Sequence, residues 1–160
     1  MIDLAKFENK NIYNNTKSHL WYIVNNLILN SFFPFSNIKV FILRLFGAQI
    51  GNNVIIKPYV KVKYPWNLKI GDNSWIGEEV WIDNLEEVLI DENCCISQGV
   101  YLCTGSHNFK SEKFDLIREK ILIKRSSWIG AKAVICPGVT VEECSFIKAG
   151  EIVKNAYRQN

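Results

Sequence analysis

Imidazole and thiol are the groups in this chain that could act as base or nucleophile near neutral pH. The sequence holds few of either: His19, His107 and five cysteines, Cys94, Cys95, Cys103, Cys136 and Cys144. The cysteine count is odd and no two form a C-x-x-C pair, so free thiols in a reducing compartment are expected rather than a disulfide framework. A zinc site would have to draw on scattered thiols and two histidines, so no metal is expected. His107 stands in the run Thr104-Gly105-Ser106-His107-Asn108, beyond the N-terminal part of the chain. A positioned imidazole there could take a proton from a hydroxyl. An isolated histidine of this kind would be a solvated loop residue, so its meaning depends on the elements that hold it.

At 160 residues, 48% hydrophobic and 22% charged, the chain has the size and composition of one globular domain. Its net charge of +3, with no Lys/Arg block longer than a pair, gives no footprint for nucleic-acid binding but leaves an anionic small ligand open. The first residues lack the basic start and unbroken apolar run of a signal peptide, so a cytoplasmic protein is expected. Trp21 to Phe35 is apolar but interrupted by Asn25, Asn26 and Asn30 and closed by Pro34, which argues against a membrane span. Apolar residues at helical spacing predict two short helices, roughly 18–31 and 37–46. This segment, 1–46, is expected to pack on or cap the main body, with attachment to the inner membrane surface as the alternative.

Beyond Gly47 the helical period gives way to a period of six. Aliphatic residues stand at Ile50, Ile56, Val62; Ile70, Ile76, Ile82; Ile90, Ile96, Leu102; and Ile123, Ile129, Ile135, Val141, Ile147, Val153. Four residues after each, in the uninterrupted hexads, come small or β-branched residues such as Val54, Ser74, Cys94, Ser127 and Ala133. A six-residue unit is too short for a helix pair or propeller blade. It suits one flat side of a triangular coil, stacked on the next so that one aliphatic column is buried. Residues 47–160 are therefore expected to form an all-β domain, a parallel β-helix with three hexads per coil.

The first three coils begin at Ile50, Ile70 and Ile90, so two extra residues enter each coil at one corner. They fall around Tyr64-Pro65-Trp66, around Asp83-Asn84-Leu85, and in a long excursion over 104–122 that contains His107. At the usual strand separation of about 4.8 Å, Asn84 lies one coil below the root of that excursion. Aromatic rings, an amide, a carboxylate and an imidazole are thus drawn to one edge of the prism.

The stretches FILRLFGAQIG (41–51), YPWNLKIGDNSWIGEEVWIDNL (64–85), ISQGVYLCTGSHNF (96–109) and SSWIGAKAVICPGVTV (127–141) resemble the hexapeptide-repeat acyltransferases. Within that superfamily they are most similar to the colanic acid biosynthesis acetyltransferase branch of the maltose and galactoside O-acetyltransferases. The resemblance implies a left-handed coil, a homotrimer, and transfer of acetyl from acetyl-CoA to a sugar hydroxyl in surface-polysaccharide assembly. It implies His107 as the catalytic base and Asn84 as an acceptor contact; Asp83 beside it is a further candidate that also fills the second slot of a hexad, and Trp66 with Tyr64 offers either a stacking face for a sugar ring or hydrophobic cover for the first coil. Coenzyme A contacts are implied at Ser97, Gly105, Trp128, Ala131 and Ala149, with Lys154 near the phosphates. Two places depart from the pattern: Asn108 stands where relatives often carry Asp, and the residues after Lys154 do not match their proline-containing tail. For Asn84 a second reading is a corner residue in the left-handed backbone region.

Other functions fit less well. A carbonic-anhydrase-type prism needs several zinc-binding histidines, and the repeat region has one. A non-catalytic scaffold leaves the 104–122 excursion, with its loop entropy, without a purpose. Acyl transfer to the amine of an amino-sugar uses the same base and thioester, and only the acceptor differs.

Overall fold

The computed structural model describes residues 16–155; the reading of the N-terminus as leaderless falls outside them. From Gln49 onward the chain winds as a parallel β-helix of about five coils, the all-β class expected from the repeat. The first face carries Gln49–Ile50, Leu68–Ile70, Val88–Ile90, Ile121–Ile123 and Thr140–Val141, hydrogen-bonded in that order. The second carries Ile55–Ile56, Trp75–Ile76, Cys95–Ile96, Trp128–Ile129 and Phe146–Ile147. The third carries Lys61–Val62, Trp81–Asp83, Tyr101–Cys103, Val134–Ile135 and Ile152–Val153. Every contact between coils is in register, Ile50 on Ile70 and Ile76 on Ile96 for example, so each aliphatic stacks on its equivalent.

Thirteen of the fifteen repeat aliphatics are buried, and Ile147 and Val153 of the last coil are partly so. Burying each such side chain is worth about 1.5–3 kcal/mol, which is what draws a two-residue strand into a continuous column. The corners follow a second rule. Three residues after the aliphatic the backbone enters the left-handed region: Asn53, Asn73, Asn93, Ser126 and Cys144 at the first corner, and Tyr59, Glu79, Gly99, Lys132 and Gly150 at the second. Except at Glu151, which is exposed in the last coil, the next residue then points into the narrow corner, where a small or β-branched side chain fits. There Ser74 Oγ donates to Asp91 O at 2.9 Å and accepts from Cys94 N at 3.1 Å, tying adjacent coils together.

The N-terminal helices cover the open edge of the first coil. Helix α1 spans Thr16–Val24 and continues as a π turn over Asn25–Leu29; α2 spans Ser36–Leu45. The single helix expected over 18–31 loses α geometry at Asn25 because that side chain is taken by the prism, its Oδ1 accepting from Val62 N at 3.2 Å. Trp21 Nε1 donates to Val62 O at 2.8 Å, Lys39 Nζ to Lys57 O at 2.7 Å, and Arg44 Nε to Ile50 O at 3.0 Å. Side chains thus pair backbone groups that a further coil would otherwise have met, which blunts the edge.

The third corner holds the insertions. Pro65–Asn67 forms a 3-10 turn in the first coil, and residues 84–87 turn in the second. In the third the chain leaves as an antiparallel hairpin, Gly105–His107 against Leu116–Arg118. The excursion expected over 104–122 ends sooner: Ile121–Ile123 is already a strand of the first face, with Leu122 opposite Thr140.

Candidate active site

His107 ends the outgoing strand of the hairpin, opposite Leu116. Its Nδ1 lies 2.8 Å from the Phe114 carbonyl oxygen. A carbonyl can only accept, so in the neutral ring Nδ1 carries the proton and Nε2 the lone pair, the tautomer a general base requires. The Phe114 ring stacks on the imidazole with centroids 4.2 Å apart and planes 2° from parallel. Phe114 does this from the left-handed region, at φ 51°, costly for an aromatic residue and held by the turn around it. That turn is closed by Asn108 N donating to Asp115 O at 2.9 Å and Ser111 Oγ to Asp115 Oδ2 at 2.6 Å. Nothing in the repeat marks Phe114, because it lies outside the repeat.

A cavity of 510 Å³ opens beside the imidazole, lined by His107, Phe109, Ile117, Cys136, Pro137 and Lys154 among others. Lys154 and His107 therefore meet in one chain. The Cys136 thiol also faces this cavity, but burial pushes its pKa up, as it does for Cys94 and Cys95. It is a poor nucleophile there. Among the described residues no cluster of three or more His, Cys, Asp or Glu could hold a metal ion.

The residues expected to touch the acceptor lie at the expected corner and already have partners within the chain. Asn84 is fully buried, and its backbone is not left-handed. Its Oδ1 accepts from Tyr64 N at 2.9 Å and its Nδ2 donates to Tyr64 O at 2.6 Å, so the amide locks the first coil to the second. Thr104, twenty residues on, does the same one coil higher, donating to Asp83 O at 3.0 Å and accepting from Glu86 N at 2.9 Å. Asp83 is held by Lys63 at 2.8 Å and by the Tyr101 hydroxyl at 3.0 Å. Burial first, then Cys103 and Asp83, push the Tyr101 phenol upward, so it remains a donor. Trp66 is half-buried beneath the cap, with Lys17 Nζ 4.7 Å above its ring and the Tyr64 ring 5.2 Å away.

The expected cofactor residues fall into two groups. Ser97, Ala131 and Ala149 line the second corner of the third, fourth and fifth coils, where Lys132 N bonds Gln98 O and Gly150 N bonds Ala131 O. Trp128 stands beside them, half exposed, its Nε1 donating to Ser97 Oγ at 2.8 Å and its ring 4.6 Å from Phe146. Gly105 and Lys154 lie at the third corner, across the third face. An added Cβ on Gly105 would come within 2.6 Å of Leu85 Cδ1, the end of a side chain that can turn aside. Within one chain the second-corner group and the His107 cavity do not meet.

The chain is 42% identical over 111 residues to the protein named colanic acid biosynthesis acetyltransferase WcaF of Escherichia coli K12, and 33% identical over 109 residues to that organism's galactoside O-acetyltransferase. The chain belongs to the hexapeptide-repeat acyltransferase superfamily. These matches take in 69% and 66% of this chain but only 61% and 54% of the relatives' own lengths, so the chain spans about three fifths or less of each. No family model matches it. Two superfamily structures share the fold: a hexapeptide-repeat acetyltransferase of Vibrio cholerae solved with acetyl coenzyme A, and a maltose O-acetyltransferase of Clostridium difficile 630. The first superposes with a TM-score of 0.80 at 19% identity, covering 92% of this chain and 81% of that one. The second gives 0.76 at 20% identity, covering 93% and 81%.

Proposed function

We propose that this chain is an acetyl-CoA-dependent O-acetyltransferase acting on a sugar hydroxyl in surface-polysaccharide assembly. The observation that carries the reading is the His107 ring, its proton fixed on Nδ1 by the Phe114 carbonyl, at the edge of a cavity it shares with Lys154. His107 Nε2 removes the hydroxyl proton as the sugar oxygen forms its bond to the thioester carbonyl carbon. When the carbon–sulfur bond breaks, the imidazolium returns that proton to the departing thiolate, leaving an ester and a free thiol. Lys154 fits one end of the co-substrate, as a cation for a phosphate.

We infer further that the working form is a homotrimer held in the cytoplasm. Separation of Ser97, Trp128, Ala131 and Ala149 from the His107 cavity by the whole third face supports this, because the corner of a neighbouring copy would bring the two groups together. A monomer in sedimentation that retains full activity would sink that assembly.

The test of the reaction is thiol release from acetyl-CoA in the presence of a panel of sugars and amino-sugars. Wild type should release thiol only with an acceptor, and a hydroxyl acceptor should suffice. His107→Ala should keep the melting profile and lose about 10²–10⁴ in rate. An unchanged rate in that variant would remove His107 as the base.

A further inference from the structure

The outer side of the helical cap supplies none of the residues that line the His107 cavity, and its chemistry is unlike the rest of the surface. The inner side of the cap bonds the strand edge of the first coil through Trp21, Asn25, Lys39 and Arg44, so the outer side faces along the prism axis. On that side α1 presents Leu20 and Ile23, and the π turn that continues it presents Leu27, exposed by 52, 55 and 70%. Helix α2 presents Ile38, Phe41 and Leu45, exposed by 45, 65 and 70%. Both sets are spaced three and then four residues apart, which is one continuous stripe on a helix. Phe32 and Phe35, exposed by 77 and 60%, stand between the two helices. The inner stripes, Trp21 with Leu29 and Val40 with Leu43, are buried, so each helix is apolar on two sides and only one of them is used by the fold.

The charge along this segment of the sequence has one sign. Between Glu8 and Asp72 the sequence holds eight lysines and arginines and no acidic residue. Lys39 is turned inward to Lys57 O, and Lys63 and Lys69 pair with Asp83 and Glu87 of the next coil. Arg44 holds the Ile50 and Gly51 carbonyls, and Lys17, Lys57 and Lys61 lie over the Trp66, Trp75 and Trp81 rings; among the described residues none of these four makes an ion pair, so their charge is not neutralised. An apolar face on a segment with this surplus of positive charge is the composition of a helix that lies in a membrane interface. No described helix is long and apolar enough to cross a membrane.

We infer that the outer face of the cap docks the prism end-on to an anionic lipid bilayer, with the two apolar stripes in the interface and the basic residues at the headgroups. A second copy packed base to base would cover the same apolar area, but would set these like charges against each other, whereas anionic headgroups neutralise them. The inference stands apart from the acyl-transfer reading, since it uses none of the residues of the His107 cavity.

Sedimentation with lipid vesicles tests it on the full chain without acetyl-CoA, so the docking and the acyl-transfer reading can fail separately. The protein should pellet with phosphatidylcholine vesicles containing phosphatidylglycerol, less with phosphatidylcholine alone, and less again at high salt. The double variant Phe41→Ser/Leu45→Ser should lower partitioning by about tenfold or more while melting cooperatively near wild type. Leu27→Ser supplies an independent variant on the other helix should the first fold poorly. Absence of pelleting with anionic vesicles at low salt would overturn the inference, as would equal partitioning of well-folded variants. A lipid-free particle mass that halves in the double variant would overturn it in favour of base-to-base pairing of copies.

Discussion

Replacing Asn84 by alanine separates two accounts of the third corner. If Asn84 served the acceptor, the variant would stay stable and need more sugar to reach half its rate. The hydrogen bonds of Asn84 point to a structural role instead. Its amide pairs the N–H and C=O of Tyr64 within a residue that is fully buried, and alanine offers neither partner. Tyr64 O keeps the bond it also accepts from Asn67 N at 3.0 Å, so the main cost is at Tyr64 N, about 1–3 kcal/mol out of roughly 5–15 for a domain of this size. Guanidinium unfolding followed by circular dichroism reads this directly, as a lower midpoint with an unchanged slope. Asn84→Asp should be at least as harmful, since it keeps an acceptor for Tyr64 N but sets a carboxylate against Tyr64 O. The fraction of Asn84→Ala that remains folded should keep its apparent affinity for acceptor. An unchanged midpoint together with weakened acceptor use would refute the reasoning.

Two other positions give sharp expectations. Burial lowers the Lys39 pKa to about 8 from 10.5, so between those values the unfolded chain holds a proton the folded chain has released, and stability should rise as pH increases across that window. Denaturation from pH 7 to 10.5 should show this rise in wild type and a smaller one in Lys39→Met; equal slopes would remove Lys39 as its source. At Gly71 an added Cβ would come within 2.5 Å of Glu92 N in the coil above, so Gly71→Ala should cost about 1–3 kcal/mol and lower the melting temperature. A variant that melts like wild type would mean that the coils can part locally at that corner.

Much of the prism is written in the sequence because its core is one-dimensional. Each hexad must send one aliphatic inward, and a slip of one residue would turn the whole column outward, so the pattern from Ile50 to Val153 leaves little freedom. A second signal at the same register is visible in retrospect: Asn53, Asn73, Asn93, Gly99, Gly138 and Gly150 all sit three residues after an aliphatic, and all have the left-handed backbone that Asn and Gly tolerate. Reading it would have excluded a left-handed corner at Asn84, which falls two residues after Ile82. The α1 boundary was less legible, because an asparagine amide that caps the prism edge competes with the helix only once the prism exists.

The candidate site was legible as a location and not as a set of contacts. Counting residues brings Tyr64, Asn84 and Thr104 to one corner, and the structure has them there, stacked twenty residues apart. The count cannot give the direction in which each side chain points, and at this corner the inward position is taken by polar groups that pair the backbone where the repeat is interrupted. An interruption exposes backbone donors and acceptors that a regular coil would have paired, so a buried Asn or Thr is needed beside each insertion whether or not a ligand is present. Polar residues at such a corner therefore divide into those that repair the stack, Asn84 and Thr104, and those the insertion carries outward, His107. The part of the site held by the hairpin itself, the Phe114 carbonyl and ring against the imidazole, arises from a turn with no repeat to predict it. It is there, outside the regular coil, that the chain fixes which imidazole nitrogen can accept a proton.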